Sequence, residues 1–239
     1  MKKLILLSTV VAAGVVLAGD VETSNSYGVL PVTTSQKATM VAVPFVGDGA
    51  NISINQMVKA ANLNTGDKIF ALPSGNNVYQ VWELNNIGGS LSWTPCVGVS
   101  VGEGTQFTAP SAAGTTIARG QAFWLVRGSA TATTFYVMGI GDTTAADPTT
   151  LSTGWNLVGL SSATTSKTLA DLSSAFDSAK KWSIRLDDGT QYNHGKDGCW
   201  YSVVNNSANK LSPANGSGVT LPVGKGFWII APESGSVNL

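Results

Sequence analysis

The residues best suited to chemistry in this chain are two cysteines and one histidine. Cys96 comes three residues after Trp93, and Cys199 comes one residue before Trp200. Because side chains alternate between the two faces of a strand, both odd spacings place the thiol opposite its tryptophan. In an oxidising compartment, a lone pair of cysteines predicts a disulfide. The alternative is two buried thiols that never meet, and a catalytic cysteine is disfavoured because His194 is not an evident partner.

The single histidine lies in the polar segment 192–198, which has the composition of a loop. A general base or a metal ligand is one interpretation of His194. We instead predict an exposed loop side chain, because zinc sites recruit several histidines or cysteines and the sequence has no such cluster. Calcium stays open as an alternative, although no acidic segment has the spacing of an EF-hand loop.

The acidic residues lie mostly in turns, and Asp187 and Asp188 precede Gly189 in a predicted hairpin turn. A glycosidase would need two carboxylates that face one cleft. A secreted hydrolase that uses dispersed carboxylates such as Glu83, Asp187 and Asp188 is therefore one alternative function. Nucleophile elbows, Walker loops and dinucleotide fingerprints are absent from the sequence, so we predict no enzymatic activity and no cofactor.

Seven tryptophans are numerous for a chain of 239 residues. Aromatic rings provide flat apolar surfaces that suit sugar rings, so a carbohydrate-stacking platform is a second hypothesis. Trp82 and Trp200 stand beside polar segments and are expected to expose one ring face. Together with Tyr201, they are the predicted ligand contacts.

Two related segments of about 100 residues must position these side chains. The sequence Gly-Gln-Ala-Phe-Trp-Leu-Val at 120–126 matches Gly-Lys-Gly-Phe-Trp-Ile-Ile at 224–230. Each segment reads as a turn that leads into a buried strand. The predicted core residues of this motif are Phe123, Trp124, Phe227 and Trp228.

A short helix is predicted in each segment. The pairs Ser53/Gln56 and Thr168/Asp171 have capping-box spacing, and each is followed by apolar residues at helical intervals. The two boxes lie 115 positions apart (53 and 168). The shared cap and the shared apolar face at one separation indicate an internal repeat.

The same separation of 115 positions aligns Met40 with Trp155 and Ile69 with Ile184. Hairpin turns are predicted at 73–77 and at 187–189, where Gly, Asn and Asp cluster. We therefore predict a mainly β chain with one short helix per module, in two tandem, internally duplicated modules of β-sandwich or barrel-like form. The predicted boundaries are a signal peptide at 1–18, a polar lead-in at 19–38, module copies at 39–140 and 154–239, and a linker at 141–153.

The N-terminal sequence predicts export. Lys2 and Lys3 precede an uncharged, Leu/Val/Ala-rich run that ends at Ala18, which is the pattern of a secretory signal peptide cleaved after that residue. An uncleaved anchor is the alternative. No later apolar stretch is long enough for a transmembrane helix, so we predict no membrane span after cleavage and a location outside the cell or in its envelope.

The opening Gly-Trp-Asn-Leu-Val-Gly-Leu at 154–160, with the later Gly-Lys-Gly-Phe-Trp-Ile strand, resembles β-modules of large, uncharacterised exported envelope proteins of verrucomicrobial-type bacteria. No activity is attached to that family. Copy 1 departs from the pattern, since Met40 replaces the tryptophan and Pro44 replaces the glycine. A ligand contact made by Trp155 would therefore exist in copy 2 alone.

Composition narrows the function. Charged residues are only 12% of the chain and the formal net charge is zero, which disfavours nucleic-acid partners. The leading hypothesis is a secreted or envelope-associated structural or adhesive protein. Low charge removes one defence against edge-to-edge strand pairing, so self-assembly into a surface layer or filament is expected. The predicted partners are further copies of the chain or a cell-surface glycan.

Overall fold

The computed structural model describes residues 27–34, 37–45, 51–59, 62–72, 78–96, 107–108, 116–141 and 148–239. The predicted signal peptide and the predicted turn at 73–77 lie outside these ranges. The described residues are mainly β, with two short helices. Within them, no helix has the length and apolar character needed to cross a bilayer.

The strands and helices of the first half, in chain order, are β1 (Tyr27–Thr34), β2 (Ala38–Ala42), β3 (Asn51–Ser53), α1 (Ile54–Met57), β4 (Val58–Lys59), β5 (Lys68–Ala71), β6 (Tyr79–Ile87), β7 (Ser90–Pro95), β8 (Phe107–Thr108), β9 (Thr116–Ala118), β10 (Ala122–Val126) and β11 (Thr133–Ile140). Those of the second half are β12 (Thr149–Leu151), β13 (Gly154–Gly159), β14 (Lys167–Thr168), α2 (Leu169–Ser173), β15 (Trp182–Arg185), β16 (Gln191–His194), β17 (Trp200–Val204), β18 (Ser207–Lys210), β19 (Thr220–Leu221), β20 (Gly226–Ala231) and β21 (Gly235–Val237).

Two large sheets follow the same strand order. Sheet 1 is β2-β10-β5-β6-β7, with β8 parallel to β6, and sheet 2 is β13-β20-β15-β16-β17-β18. The small sheets also correspond, since β3 pairs with β9 as β14 pairs with β19. β1 pairs with β11 as β12 pairs with β21, and β4 extends the first of these pairs. We call residues 27–141 module 1 and residues 148–239 module 2.

The β1 and β12 strands enlarge the predicted modules. β1 lies within the segment predicted as a polar lead-in. β12 lies in the segment predicted as a linker, of which residues 142–147 are outside the described ranges. Both strands pair with the last strand of their own module. Each module therefore closes on itself through a pairing between its two ends.

Strand register defines which positions of the two modules correspond. Ile69 lies opposite Leu125 in sheet 1, and Ile184 lies opposite Ile229 in sheet 2, in agreement with the predicted match of Ile69 to Ile184. Further out, Trp93 faces Leu84 across the β6–β7 pair, just as Trp200 faces His194 across the β16–β17 pair. Trp93 and Trp200 therefore occupy corresponding positions in the two sheets.

The predicted match of Met40 to Trp155 is wrong by two residues. Met40 lies opposite Trp124, whereas the residue opposite Trp228 is Leu157. The correct counterpart of Met40 is therefore Leu157. A shift of two residues leaves every side chain on the same face of a strand, so the apolar pattern could not detect the error.

Both predicted helices form at their capping boxes. Gln56 donates its backbone N–H to the Ser53 hydroxyl (3.3 Å), and Ser53 returns a backbone bond to the Gln56 side chain (3.3 Å). Thr168 donates its backbone N–H to the Asp171 carboxylate (2.6 Å). This bond holds the pKa of Asp171 below its usual range. Such caps satisfy N–H groups that a helix this short leaves without intrahelical partners.

Each module has its own apolar core on one face of its large sheet. Phe123 and Phe227 are buried there, as predicted from the repeat motif. Trp124 and Trp228 are not core residues of this kind. They follow the phenylalanines by one position, so they point to the opposite sheet face, where they are half-buried against a small cluster of Met40, Ala122 and Leu157.

Candidate functional site

Two of the three predicted ligand contacts are buried. Trp82 is 1% exposed and Trp200 is 0% exposed, so neither ring presents a face to a ligand. Trp82 lies opposite Ile69 and Trp200 lies opposite His194, both on the core face of their sheets. The alternation of side chains along each strand decides their burial, whatever polar residues stand beside them in the sequence.

The third predicted contact, Tyr201, is half-buried on the opposite face of sheet 2. Its hydroxyl donates to Asp197 Oδ2 (2.8 Å), and Lys210 Nζ donates to the same oxygen (2.9 Å). The bonds from Lys210 and Tyr201 hold the pKa of Asp197 well below its usual range. The ring of Tyr201 also packs so closely against Gly195 that a Cβ there would lie 2.7 Å from it. Tyr201 is therefore held in a fixed orientation.

The predicted disulfide is absent, since Cys96 and Cys199 are both free thiols. The two cysteines are far apart because β7 is the last strand of sheet 1 and β17 is next to last in sheet 2, whereas the two sheets contact each other at their opposite ends, through β2 and β10 with β13 and β20. The Cys96 thiol instead donates to the Glu83 carboxylate (3.7 Å). Burial and the charge of Glu83 raise the pKa of this thiol, and a raised pKa disfavours the thiolate that nucleophilic chemistry needs.

The sequence predicted that His194 is an exposed loop residue, and this prediction is wrong. It is the last residue of β16 and is 4% exposed in the core of module 2. Its ring lies 5.0 Å from Trp200 and 6.3 Å from Phe176, measured between ring centroids. Burial lowers the pKa of His194, while the backbone of Gly198 and the charge of Asp197 act in the opposite direction.

The candidate catalytic carboxylates all have structural partners. Glu83 forms an ion pair with Lys68 (3.1 Å), and Asp187 accepts the backbone N–H of Met40 (3.2 Å). Burial raises the pKa of Asp187. Asp188 accepts the backbone N–H of Thr190 (2.8 Å) inside the predicted turn, which forms as expected. Across the described ranges, no three His, Cys, Asp or Glu side chains are grouped in a way that could hold a metal ion.

A mixed aromatic and polar surface covers the face of sheet 2 opposite its core. We call it the outer face of sheet 2, and cross-strand pairing arranges it in two parallel rows. One row, in strand order, is Trp155, Ile230, Ser183, Asn193, Tyr201 and Lys210. The other row is Leu157, Trp228, Arg185, Gln191, Val203 and Ala208. Every one of these residues except Leu157 is at least partly exposed.

Trp155 is the most exposed aromatic ring of this surface. It is 50% exposed, and it stands at 90° to Trp228 with the ring centroids 5.5 Å apart. Edge-to-face packing of this kind fixes one ring while it leaves the other accessible. An exposed tryptophan supported by a second tryptophan is a rigid apolar platform at one end of the row.

Polar side chains fill the middle of the outer face. Ser183 donates to Asn193 Oδ1 (2.7 Å), and Gln191 donates to the same oxygen (3.0 Å). The Asn193 amide NH₂ is thereby left to donate to a ligand. Arg185 is exposed beside this group, opposite both Trp228 and Gln191. The platform, the amides and Tyr201 lie along one line that crosses five strands, or about 19 Å at the usual strand spacing.

Trp155 was absent from the predicted contacts, although the sequence around it gave one reason to include it. The Gly-Trp start of β13 has no tryptophan counterpart in module 1, where register places Ala38 at the position of Trp155. A large aromatic side chain that only one of two related segments carries is a weak reason to expect a ligand contact. Comparisons with protein-family models, with curated proteins and with solved structures find no match to this chain.

Proposed function

We propose that this protein is a non-enzymatic, extracellular adhesive protein that binds a polysaccharide along the outer face of sheet 2. The observation that carries the proposal is the alignment of Trp155, Asn193 and Tyr201 in one cross-strand row. Trp155 supplies an apolar platform for the C–H face of a sugar ring. Asn193 and Arg185 supply donors for ring hydroxyl groups.

The shape of the surface favours a long ligand over a small one. The row is flat and runs across the strands, whereas sites for small molecules are concave and enclose most of the ligand. Its rigidity supports binding as well, since Trp155 and Tyr201 are both held by neighbours before any ligand arrives. A preordered surface loses less conformational entropy on binding.

The N-terminal sequence and the strand order support the proposed location and architecture. The N-terminal pattern of residues 1–18 is the reason to propose export. The common strand order and register of the two sheets support the proposal that modules 1 and 2 are copies of one ancestral unit. Module 2 would then have acquired the binding surface, because module 1 has Ala38 at the position of Trp155.

Binding should be tested with the full chain on an array of neutral and acidic polysaccharides, followed by calorimetry on those retained. Trp155→Ala is expected to weaken binding at least tenfold, which corresponds to about 1.4 kcal/mol, because the ring is the main apolar contact. Asn193→Ala should weaken it less. Leu91→Ala is the matched control, because Leu91 is an exposed apolar residue in the β6–β7 hairpin of sheet 1.

The two variants distinguish binding on the outer face of sheet 2 from binding elsewhere. Binding that falls with Trp155→Ala and is unchanged with Leu91→Ala supports the outer face of sheet 2 as the site. Equal affinity of the wild type and Trp155→Ala would place any binding elsewhere. No retention on any polysaccharide would refute the proposed function.

A further inference from the structure

Several backbone contacts between the two modules occur in matched pairs. Ala42 donates its backbone N–H to the Gly224 carbonyl (3.1 Å), and Gly159 donates its backbone N–H to the Gly120 carbonyl (3.0 Å). Register makes Ala42 the counterpart of Gly159, since they lie opposite Ala122 and Gly226. Gly120 and Gly224 also correspond, because each lies two residues before the start of its strand, β10 or β20. The second bond is therefore the first with the modules exchanged.

Other contacts between the modules show the same exchange of counterparts. An isolated antiparallel bridge joins Val41 to Lys225, and its counterpart joins Val158 to Gln121. The small cluster between the sheets contains both Met40 and its counterpart Leu157. In a two-fold interface, such as that of a homodimer, every contact between two residues is repeated by their counterparts with the two partners exchanged. The modules thus pack as a dimer whose subunits share one chain.

Side-chain size distinguishes the two partners where counterparts meet each other. A Cβ added to Gly159 would lie 2.2 Å from the Cβ of Ala42, and one added to Gly226 would lie 2.7 Å from the Cβ of Ala122. Module 1 therefore places alanine, and module 2 places glycine, at both positions. Two module 1 surfaces would bring alanine against alanine and clash. One module 1 surface and one module 2 surface fit.

This complementarity does not depend on the two modules sharing a chain. We propose that module 1 of one molecule also binds module 2 of a second molecule through these same contacts. Two chains that exchange modules would form a closed dimer, and repeated exchange would extend the assembly into a filament. Within one chain the tether acts as a high effective concentration, so the closed monomer dominates when the protein is dilute.

Complementation between two full-length variants tests the exchange. Gly159→Val blocks the module 2 surface of one chain, and Ala42→Val blocks the module 1 surface of the other. Neither chain can close internally, but the intact module 1 of the first can bind the intact module 2 of the second. With one chain labelled with ¹⁵N, native mass spectrometry of the mixture should show a dimer that contains one chain of each kind.

The matched control replaces Gly159→Val with Gly235→Val, because a Cβ at Gly235 meets nothing within 4 Å. That chain closes on itself, so its mixture with Ala42→Val should lack the mixed dimer. A mixed dimer in the first mixture alone supports the proposal. Its absence from both mixtures, or equal amounts in both, overturns it.

A second measurement decides the matter if either valine variant loses its β-sheet circular dichroism. Wild-type chains with and without ¹⁵N are unfolded together and refolded at high protein concentration. Exchange predicts dimers that contain both isotopes and that dissociate slowly after dilution. Only single-chain species after refolding would contradict the proposal.

Discussion

The outer faces of the two large sheets carry different chemistry at corresponding positions. Lys68 and Glu83 form an ion pair across β5 and β6 in sheet 1 (3.1 Å), and the counterpart positions in sheet 2 hold Ser183 and Asn193. The Lys68 ammonium and the Glu83 carboxylate contact each other, and Glu83 also accepts from the Cys96 thiol. Asn193 accepts two hydrogen bonds at its amide oxygen, so its NH₂ group is the donor that sheet 2 offers to a ligand at this position.

The aromatic residues show the same contrast. In sheet 1, Trp124 hydrogen-bonds Tyr79, and Tyr79 packs edge-on against Phe70 with ring centroids 6.2 Å apart. In sheet 2, Trp228 supports Trp155, which remains half-exposed. Aromatic rings that pack against each other cover one another's faces and stabilise the surface. A ring that is held by a neighbour but keeps one face exposed can contact a ligand.

The cores of the two modules are more alike than their surfaces. Trp93 donates its indole N–H to the Val58 carbonyl (3.0 Å), and Trp200 donates to the Ser173 hydroxyl (2.8 Å). Both acceptors stand at the ends of their short helices. The tryptophan that fastens the helix to the sheet is therefore a structural element common to both modules, whereas the outer faces of the two large sheets differ.

The largest expected effect is the loss of this fastening tryptophan. Trp200→Ala should lower the free energy of unfolding by about 3–5 kcal/mol, because it removes a fully buried ring and an indole hydrogen bond. Trp93→Ala should have a similar effect in module 1. Urea unfolding followed by circular dichroism measures both. A change below about 1 kcal/mol for either variant would show that the two tryptophans are not equivalent.

The interface between the modules gives the next largest effect. Gly159→Ala should destabilise the protein by about 1–3 kcal/mol, because the new methyl group overlaps Ala42. Ala42→Gly in the same chain removes the overlap and should restore most of that loss. Urea unfolding of both single variants and the double variant completes a double-mutant cycle. Additive effects would show that the two positions do not meet.

His194 occupies the position in module 2 that Leu84 occupies in module 1. Burial lowers the pKa of His194 below the ordinary value near 6.5. The unfolded chain therefore takes up a proton at a higher pH than the folded chain does. This contribution to stability is complete above pH 6.5 and is lost as the pH falls.

His194→Leu should remove that part of the acid dependence, and Leu84→His should introduce it into module 1. The measurement is the difference in unfolding free energy between each variant and the wild type across pH 5 to 8. The titration of groups that neither substitution alters cancels in the difference. A difference that stays constant with pH would show that folding does not lower the pKa of His194.

Sequence patterns predicted the elements better than they predicted exposure. The capping boxes placed both helices correctly, because a cap is a local hydrogen bond between residues three apart. Burial of Trp82 and Trp200 was missed, since it depends on which face of the strand meets the core. The cross-strand partners Ile69 and His194 are close in sequence, but a strand by itself does not show which of its faces the rest of the module packs against.

The interface between the modules lay beyond sequence reasoning for the same reason. Gly159 and Gly226 look like ordinary strand glycines, and only the approach of Ala42 and Ala122 explains them. Trp155 was misaligned by two residues, which concealed that module 1 has alanine at its position. A correct alignment of the first strands required the hydrogen-bond register of the folded sheets.

The smallest expected effect tests the contrast between the ion pair and the amide pair. Glu83→Gln should lower the free energy of unfolding by only about 0.2–1 kcal/mol, because both side chains of the pair with Lys68 remain partly exposed. That loss should shrink in high salt, which screens exposed charges. Ser183→Ala, which removes the uncharged bond to Asn193, should have a loss that salt does not change. Unfolding in urea at low and high salt measures both, and an equal salt response would show that charge does not distinguish the two outer faces.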